Sequence, residues 1–212
     1  ATLAWARRRA ALRTGLRSLQ VGRRTRRGSM DTALPTGRNT RMPTPYVALL
    51  RAVNVGGTGK LPMAELKAMC EAEGFGQVRT WIASGNVVFT ADHTAAQVKA
   101  ALERRLLDYA GKPVGVLVRT ATELAAVLDG NPFPGEPGNR TLAIFLDTAP
   151  PADAATSARH LVDERIALGT RELYVAYGDG MGASKLVIPA AASGTARNMN
   201  TVARLVAMTA AL

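Results

Sequence analysis

The sequence predicts an α+β protein built from two tandem ferredoxin-like (alpha-beta plait) domains, the second less regular, preceded by a disordered basic tail. Three observations support this fold class. Basic residues concentrate before residue 46, the following apolar pattern reads as βαββαβ, and further strands and helices follow residue 120. The predicted divisions are residues 1–45, 46–119 and 120–212.

The N-terminal segment differs in composition from the rest of the chain. Residues 1–45 contain 11 of the 27 basic residues, all arginine, and one of the 16 acidic residues. This composition predicts a disordered Arg-rich extension that is not native structure, upstream of a true start at Met42 or Met30. A nucleic-acid-binding arm and a targeting peptide are the alternatives.

The remaining chain is nearly neutral and carries few metal-ligating side chains. Residues 46–212 contain 16 basic and 15 acidic groups, a net charge of +1, which disfavours nucleic acid as a partner. The lone Cys70 fits a reducing cytoplasm, and the two histidines lack ligand spacing, so no metal or cofactor is predicted. No apolar run reaches membrane-spanning length, so a soluble chain is expected. Together with the lone cysteine, this leads to the expectation of a cytoplasmic location.

The first predicted domain follows from periodicity and from turn and cap residues. Apolar stretches predict strands, Pro62 favours a helix start, and Ser84-Gly85-Asn86 predicts a tight hairpin. Thr94 and Gln97 form a capping box before an amphipathic helix that ends at Gly111. The predicted elements are a strand at 46–53, a helix at 62–74, strands at 77–83 and 86–91, a helix at 95–109 and a strand at 114–119.

The second predicted domain is less clearly punctuated. Thr120 and Glu123 form another capping box, and the segment "NPFPGEPG" interrupts the chain after that helix. Strands are predicted at 141–146, at 172–177 and in "LVIP", with an alanine-rich helix over about 153–163. A final helix is predicted to start near Asn198 or Asn200.

The glycine-rich stretch "RAVNVGGTGKLPM" lies between the first strand and the first helix. Alignment of Gly59-Lys60 with a Walker A loop places Asn54 at the first glycine and Leu61 at the metal-ligating hydroxyl, so this is not a Walker A loop. Backbone N–H groups, Lys60 and a helix start nevertheless suit an anion. The alternative is a flexible turn with a solvated lysine.

Topology predicts two polar clusters. The first and third strands of a plait are central antiparallel neighbours, so the end of the first strand lies beside the start of the third. A second cluster surrounds the final helix start. We predict that both face one interdomain cleft and bind a ligand through Arg51, Asn54, Gly56, Gly57, Lys60, Ser84 and Asn86, and through Ser184, Lys185, Arg197, Asn198 and Asn200.

The charges of these clusters suggest what they bind. No carboxylate is obviously placed to neutralise Arg51, Lys60, Lys185 and Arg197, so the predicted function is binding of a small anionic or phosphate-bearing ligand. A protein-interaction or regulatory module without catalysis is the alternative, and a nucleic-acid binder is the second alternative. RNA recognition of the plait type is disfavoured because the two central strands offer only Tyr46 and Phe89 as aromatics. The sequence identifies neither a reaction nor an oligomeric state.

Several motifs together resemble a known bacterial family. They are "LLRAVNVGGTGKLPMAELK", "TWIASGNVVF", "NPFP", "ELYVAY", "SKL" and "TARNMNTVARL". This ordered set is similar to the family of domain of unknown function 1697, from about Tyr46 to the C-terminus. The resemblance implies tandem plait-like domains and no established activity. The family's hallmark positions correspond to the two clusters above, together with Gly85 and Thr201.

Overall fold

A computed structural model of the chain describes residues 42–54 and 60–212, so residues 1–41 of the predicted disordered extension 1–45 lie outside the described residues. Thr44 and Pro45, which were predicted to be disordered, instead begin the first strand and pair with the third. The first half contains four strands and two helices. β1 begins at Thr44, two residues before the predicted strand. The elements are β1 Thr44–Leu50, α1 Met63–Ala72, β2 Gly76–Trp81, β3 Asn86–Ala91, α2 Ala95–Ala110 and β4 Val116–Thr120.

The four strands form an antiparallel sheet in the order β2-β3-β1-β4. β1 and β3 are central neighbours, and Leu49 lies opposite Asn86, which confirms the pairing predicted from element order. The end of β1 therefore lies beside the hairpin turn that connects β2 to β3. The backbone N–H of Leu50 donates to the carbonyl of Gly85 at 2.8 Å and closes this corner.

Local sequence signals set both ends of α2 where they were predicted. The Thr94 side chain accepts a hydrogen bond from the Gln97 backbone N–H, and the Gln97 side chain accepts one from the Thr94 backbone N–H. Gly111 ends α2 with a left-handed φ of 68°. The buried face of α2 carries Val98 and Leu102 together with Leu106. Helix stability here comes mainly from this apolar face packing on the sheet.

The second half also contains four strands in one antiparallel sheet, ordered β6-β7-β5-β8. Its elements are α3 Ala121–Asp129, β5 Thr141–Phe145, β6 Arg165–Leu168, β7 Glu172–Ala176, a 3₁₀ turn Pro189–Ala191, β8 Thr195–Asn198 and α4 Met199–Thr209. The described residues thus form a mixed α+β fold with two four-stranded antiparallel sheets and four α-helices.

Two predicted elements of this half are wrong. The alanine-rich segment after Pro151 forms turns instead of a helix. Its Ser157 N–H donates to the Asp153 carbonyl at 2.8 Å in one helix-like turn, which the chain does not continue as a helix. The segment "LVIP" is not a strand but makes a single antiparallel bridge between Val187 and Arg159. The short strands β6 and β8, which were not predicted, complete the sheet.

Three apolar clusters arrange the described residues in layers. Helices α1 and α2 cover one face of the first sheet. Helices α3 and α4 lie between the other face of that sheet and the second sheet, where Leu49, Phe145 and Leu205 share one core. The turns after β5 and the chain before β8 cover the remaining face of the second sheet. Met42–Leu212 forms one compact unit, and the division into domains at residue 120 stays a prediction.

The two sheets repeat the same plan in register. Leu49 of β1 lies opposite Asn86 of β3, and Phe145 of β5 lies opposite Glu172 of β7. The residue after each of these pairs also makes an equivalent hydrogen bond. Leu50 N–H donates to the Gly85 carbonyl of the β2–β3 hairpin, and Leu146 N–H donates to the Arg171 carbonyl of the β6–β7 hairpin. Asn86 and Glu172 therefore occupy equivalent positions.

The edge strands β4 and β8 complete this repeat. Val47 lies opposite Arg119 in the first sheet, and Ala143 lies opposite Arg197 in the second. Each arginine is followed by the residue that caps the next helix. Thr120 caps α3 and Asn198 caps α4, and both accept from the backbone three residues later. Arg119 and Arg197 are thus equivalent by register.

Candidate functional site

The predicted polar residues of the first half meet at the end of β1. We call the β1 rim the set formed by Leu50 and Arg51, the turn Ser84–Asn86, and Arg197 of β8. The turn needs Gly85, whose φ is 77° and whose position leaves no room for a Cβ beside Val53 and Leu50. The hairpin therefore lies directly against the last residue of β1.

Arg197 is the buried centre of the β1 rim. Its residue is 7% exposed, and it reaches from the second half into the first. All five N–H donors of the guanidinium reach protein oxygens. Nε donates to Asn86 Oδ1, Nη1 donates to Thr195 Oγ1 and the Ala196 carbonyl, both at 2.8 Å, and Nη2 donates to the carbonyls of Leu50 at 3.0 Å and Ser84 at 2.9 Å.

None of these acceptors carries a charge. Burial lowers the pKa of Arg197 to about 10, and the side chain remains a cation at neutral pH. Asn86 is fully buried, and its amide orientation is set by Nδ2, which donates to the Trp81 carbonyl and to Ser84 Oγ, both at 3.0 Å. Oδ1 is thereby directed at Arg197. The guanidinium is fully hydrogen-bonded but its charge is not compensated by these contacts.

Arg51 is the exposed cation of the rim. Its backbone N–H donates to the Gly115 carbonyl at 2.9 Å, and its guanidinium donates to the Ala192 carbonyl. Arg51 and Arg197 therefore both lie at the end of β1, one exposed and one buried. Among residues 42–54 and 60–212, no carboxylate forms an ion pair with either of them.

Asn54 ties the chain before the helix to the same hairpin. Its Nδ2 donates to the carbonyls of Leu61 at 2.9 Å and Ala83 at 2.7 Å, and its Oδ1 accepts from Leu61 N–H at 2.8 Å. The side chain tolerates this position's φ of 56°, as asparagine often does. Lys60 is exposed and immediately precedes the anchored Leu61. Gly56 and Gly57, which were predicted to bind ligand, lie outside the described residues.

Ser184 and Lys185 lie in different surroundings. They line an open concavity with residues 160–164, Gly180 and Ala183. Ser184 Oγ donates to the carboxylate of Glu164, which also accepts from Val162 N–H at 2.8 Å. The hydrogen bond from the Ser184 hydroxyl, together with hydrogen bonds from backbone N–H groups such as that of Val162, lowers the pKa of Glu164. Ser184 thus holds a loop in place, and Lys185 is exposed at the edge of the concavity.

The two asparagines near the last helix have separate roles. Asn198 Oδ1 accepts from Thr201 N–H at 2.9 Å and caps α4, as predicted. Asn200 is exposed, and its side chain lies against Gly138, where a Cβ would be only 2.3 Å from Oδ1. The Met199 N–H donates to the Gly138 carbonyl at 2.9 Å. These contacts account for helix capping and packing.

The structure therefore brings together part of the predicted set. Arg197 joins Ser84 and Asn86 in direct hydrogen bonds across the two halves, whereas Ser184 and Lys185 contact residues 160–164. Whether these residues share a ligand stays a prediction. Thr195, which supports Arg197, was not predicted because the strand that carries it was not recognised.

The equivalent corner of the second half has a different charge. We call the β5 rim the set Leu146 and Asp147, the turn Thr170–Glu172, and Arg119 of β4. Arg119 is 2% exposed and crosses into the second half, where its Nη2 donates to the carbonyls of Leu146 at 2.6 Å and Arg171 at 2.8 Å. Its guanidinium also lies 5.6 Å from the ring centroid of Phe145.

Carboxylates surround the β5 rim. Burial and the charge of Arg171 lower the pKa of Arg119, whereas Glu123, Glu172 and Asp147 oppose that shift. Glu123 pairs with Arg171 at 2.6 Å, and Asp147 pairs with Lys99 at 2.6 Å. Three cations, including Lys99, thus face three carboxylates. Asn86 and Arg51 of the β1 rim stand where the β5 rim has Glu172 and Asp147.

Other classes of site have little support within residues 42–54 and 60–212. No group of three or more His, Cys, Asp or Glu side chains there could hold a metal ion. No helix in those ranges is long and apolar enough to cross a membrane. Cys70 is buried in α1, and burial raises the pKa of its thiol to about 12, so it is not an activated nucleophile.

The family described as "Protein of unknown function (DUF1697)" matches residues 43–174, more than half of the chain. The chain belongs to this family. It is also similar in structure to the conserved bacterial protein SP0830 from Streptococcus pneumoniae, with a TM-score of 0.65 and 23% identity over 78% of this chain and 98% of that one. At that identity the similarity concerns the fold. No match was found among curated proteins.

Proposed function

We propose that the protein binds a small anionic or phosphate-bearing ligand at the β1 rim, in a cleft between its two halves. The proposal rests on the uncompensated charge of Arg197. A buried cation without a carboxylate raises the electrostatic potential around it, because the low dielectric constant of the interior screens it weakly. Arg51 adds a second positive charge beside it.

In this proposal the exposed cations, Arg51 and Lys60, contact the ligand directly. All five donors of Arg197 are engaged by the protein, so its contribution is electrostatic. Arg51 and Lys60 can reach solvent, and a guanidinium and an ammonium are both suited to phosphate oxygens. Asn54 and Asn86 hold the hairpin and the chain before the helix in position. We assign Ser184, Asn198 and Asn200 to local structure and leave Lys185 without a ligand role.

The strand order of the two sheets supports a ferredoxin-like assignment for both halves. Both sheets have the order 2-3-1-4 when strands are numbered within each half, the order of a ferredoxin-like plait. We therefore infer a tandem plait in which turns replace the two helices of the second unit. A cytoplasmic location is consistent with the single buried thiol.

An interaction module is the alternative function. Ile82, beside the β1 rim, is 50% exposed, and Leu161 and Val162 at the other concavity are 51% and 87% exposed. Exposed apolar side chains of this kind can contact another protein. Nucleic-acid binding is less well supported, because residues 46–212 have a net charge of only +1.

Thermal unfolding of the full chain tests the proposal. Inorganic phosphate, pyrophosphate, ADP and a sugar phosphate would be titrated at constant ionic strength, which removes general salt effects. A binding anion at a hundred times its Kd should add about 2.7 kcal/mol to the free energy of unfolding. No stabilisation by any of these anions at millimolar concentration would reject the proposal and favour the interaction module.

Two charge-removing variants locate the site. Arg51→Gln and Lys60→Gln should each weaken binding of the stabilising anion by about 1.5–3 kcal/mol, as expected for charge-assisted hydrogen bonds. Lys185→Gln removes the same charge from an exposed position at the other concavity, to which no ligand role is assigned, and is the matched control. An equal loss in all three variants would point to overall charge instead of this rim.

A further inference from the structure

The two equivalent rims differ most at one buried position. Asn86 and Glu172 each begin the third strand of their half. Each lies opposite the residue of the first strand that forms the last pair between the two strands, Leu49 or Phe145. Both side chains are buried, at 0% and 5% exposure. Because register makes the positions equivalent, the two halves provide an internal comparison of one rim with and without a carboxylate.

In the β5 rim the Glu172 carboxylate both holds the hairpin and adds negative charge. Glu172 accepts from the N–H groups of Thr170 at 2.9 Å and Arg171 at 3.2 Å, and it adds a negative charge close to Arg119. Together with Asp147 it leaves the β5 rim balanced in charge. Asn86 keeps a hydrogen bond to Arg197 through its Oδ1 but supplies no charge. The β1 rim therefore has the arginine of the repeat without its acidic neighbour.

We propose that Asn86 is the residue that makes the β1 rim selective for anions, and that a carboxylate at the equivalent position excludes anions from the β5 rim. This inference rests on the proposed function and adds the determinant of its charge preference. A neutral amide fills the buried position without leaving a donor of Arg197 unpaired. The positive charge consequently remains available to a bound anion instead of being neutralised by the protein.

Asn86→Asp tests the inference because the side chain keeps its shape and gains one negative charge. In isothermal titration of the full chain with pyrophosphate, the variant should bind at least about tenfold more weakly, the effect of one unit charge several ångströms away at an effective dielectric constant near 20. Asn86→Ser is the neutral control, which disturbs the same hydrogen bonds without adding charge. It should keep most of the affinity.

A reciprocal variant decides the question if Asn86→Asp does not fold. Replacing the two acidic residues of the β5 rim with their β1-rim counterparts, Asp147→Arg with Glu172→Asn, should raise the pyrophosphate stoichiometry from about one to about two per chain. Absence of a second site would overturn the inference, as would equal weakening by Asn86→Asp and Asn86→Ser. Failure of the unaltered protein to bind pyrophosphate or any other tested anion would instead reject the proposed function, and the inference with it.

Discussion

Arg119 and Arg197 occupy equivalent positions in the two halves. Each donates hydrogen bonds to the other half, both at the end of its first strand and in its hairpin. Arg119 reaches the carbonyls of Leu146 and Arg171, and Arg197 reaches those of Leu50 and Ser84. This reciprocal arrangement fixes the end of each sheet's first strand to the opposite half. The two sheets thus share polar contacts as well as an apolar core.

Arg197→Ala should strongly destabilise the fold. The change leaves buried carbonyls and the Asn86 amide without their donor, and each unpaired group costs about 1–3 kcal/mol. Loss of the unfavourable burial of a charge offsets part of that cost. A net loss of about 3 kcal/mol in the free energy of unfolding, measured with urea, is expected. Arg197→Lys keeps the charge but not the five-donor geometry, and it should lose at least about 1 kcal/mol.

Coupling between Arg197 and Asn86 gives a stricter measure of the same contact. A double-mutant cycle with alanine at both positions should return an interaction free energy of about 0.5–3 kcal/mol. Additive effects would show that the Nε–Oδ1 hydrogen bond does not stabilise the fold. The role of Arg197 would then depend on its carbonyl contacts alone.

Gly85→Ala should destabilise the first hairpin through both backbone strain and a clash. The φ of 77° disfavours any side chain, and a Cβ would lie 2.4 Å from Val53 Cγ2 and 2.8 Å from Leu50 Cβ. We expect a loss of about 3 kcal/mol or more in the free energy of unfolding. Gly111→Ala is the matched control, with a φ of 68° and no atom within 4 Å, and should cost only about 1–2 kcal/mol. Similar losses in both variants would contradict the predicted clash.

Much of the first half could be predicted from the sequence because its signals are local. The Thr94 capping box and the left-handed Gly111 fix the ends of α2, and the Ser84–Asn86 turn fixes the β2–β3 hairpin. These features depend on residues within a few positions of one another. The central pairing of β1 with β3 then follows from the order of elements.

The second half was harder to predict because its structure depends on distant contacts. β8 has only four residues, Thr195–Asn198, and reads as a loop until its pairing with β5 is known. Two tandem plait domains were predicted, but the residue-by-residue equivalence of the two halves was not recognised, because equivalent residues differ in type, as Asn86 and Glu172 do. One signal was available: an arginine followed by a helix-capping residue occurs at Arg119 and again at Arg197.

In the candidate site, too, the features set by local sequence were predicted and those set by contacts between the two halves were not. Sequence reasoning placed Asn86 and Ser84 beside the end of β1, and the structure brings Arg197 to them. It treated Arg197 as a direct ligand contact, whereas every donor of the side chain is used within the protein. Burial of a side chain near a helix start depends on packing against the other half, which local sequence does not reveal.

Cys70 should resist thiol reagents in the folded protein. The side chain is fully buried in the core under α1, and burial raises its pKa to about 12, so almost no thiolate exists at pH 8. Labelling by a disulfide reagent should therefore be limited by opening of the core. The same reagent should react rapidly in urea, where the thiol is exposed and its pKa returns to about 8.5. Because this is the chain's single cysteine, rapid labelling under native conditions would directly contradict the buried position.

Glu73 should contribute stability that is lost in acid. Burial of this carboxyl raises its pKa, but hydrogen bonds and charge from Arg105 and Arg104 outweigh that effect, and the pKa is lowered overall. A carboxyl with a lowered folded-state pKa stabilises the fold above its unfolded-state pKa, and this contribution disappears as the pH falls through the folded-state value. Glu73→Gln should therefore reduce the free energy of unfolding at pH 7, and the difference from the unaltered protein should shrink below about pH 4.3.

Glu71→Gln, which removes a half-exposed partner of Lys67, is the control and should change stability by less than about 0.5 kcal/mol. Urea unfolding of the three proteins from pH 7 to pH 3 measures this difference, and a constant gap across that range would contradict the assigned role of Glu73.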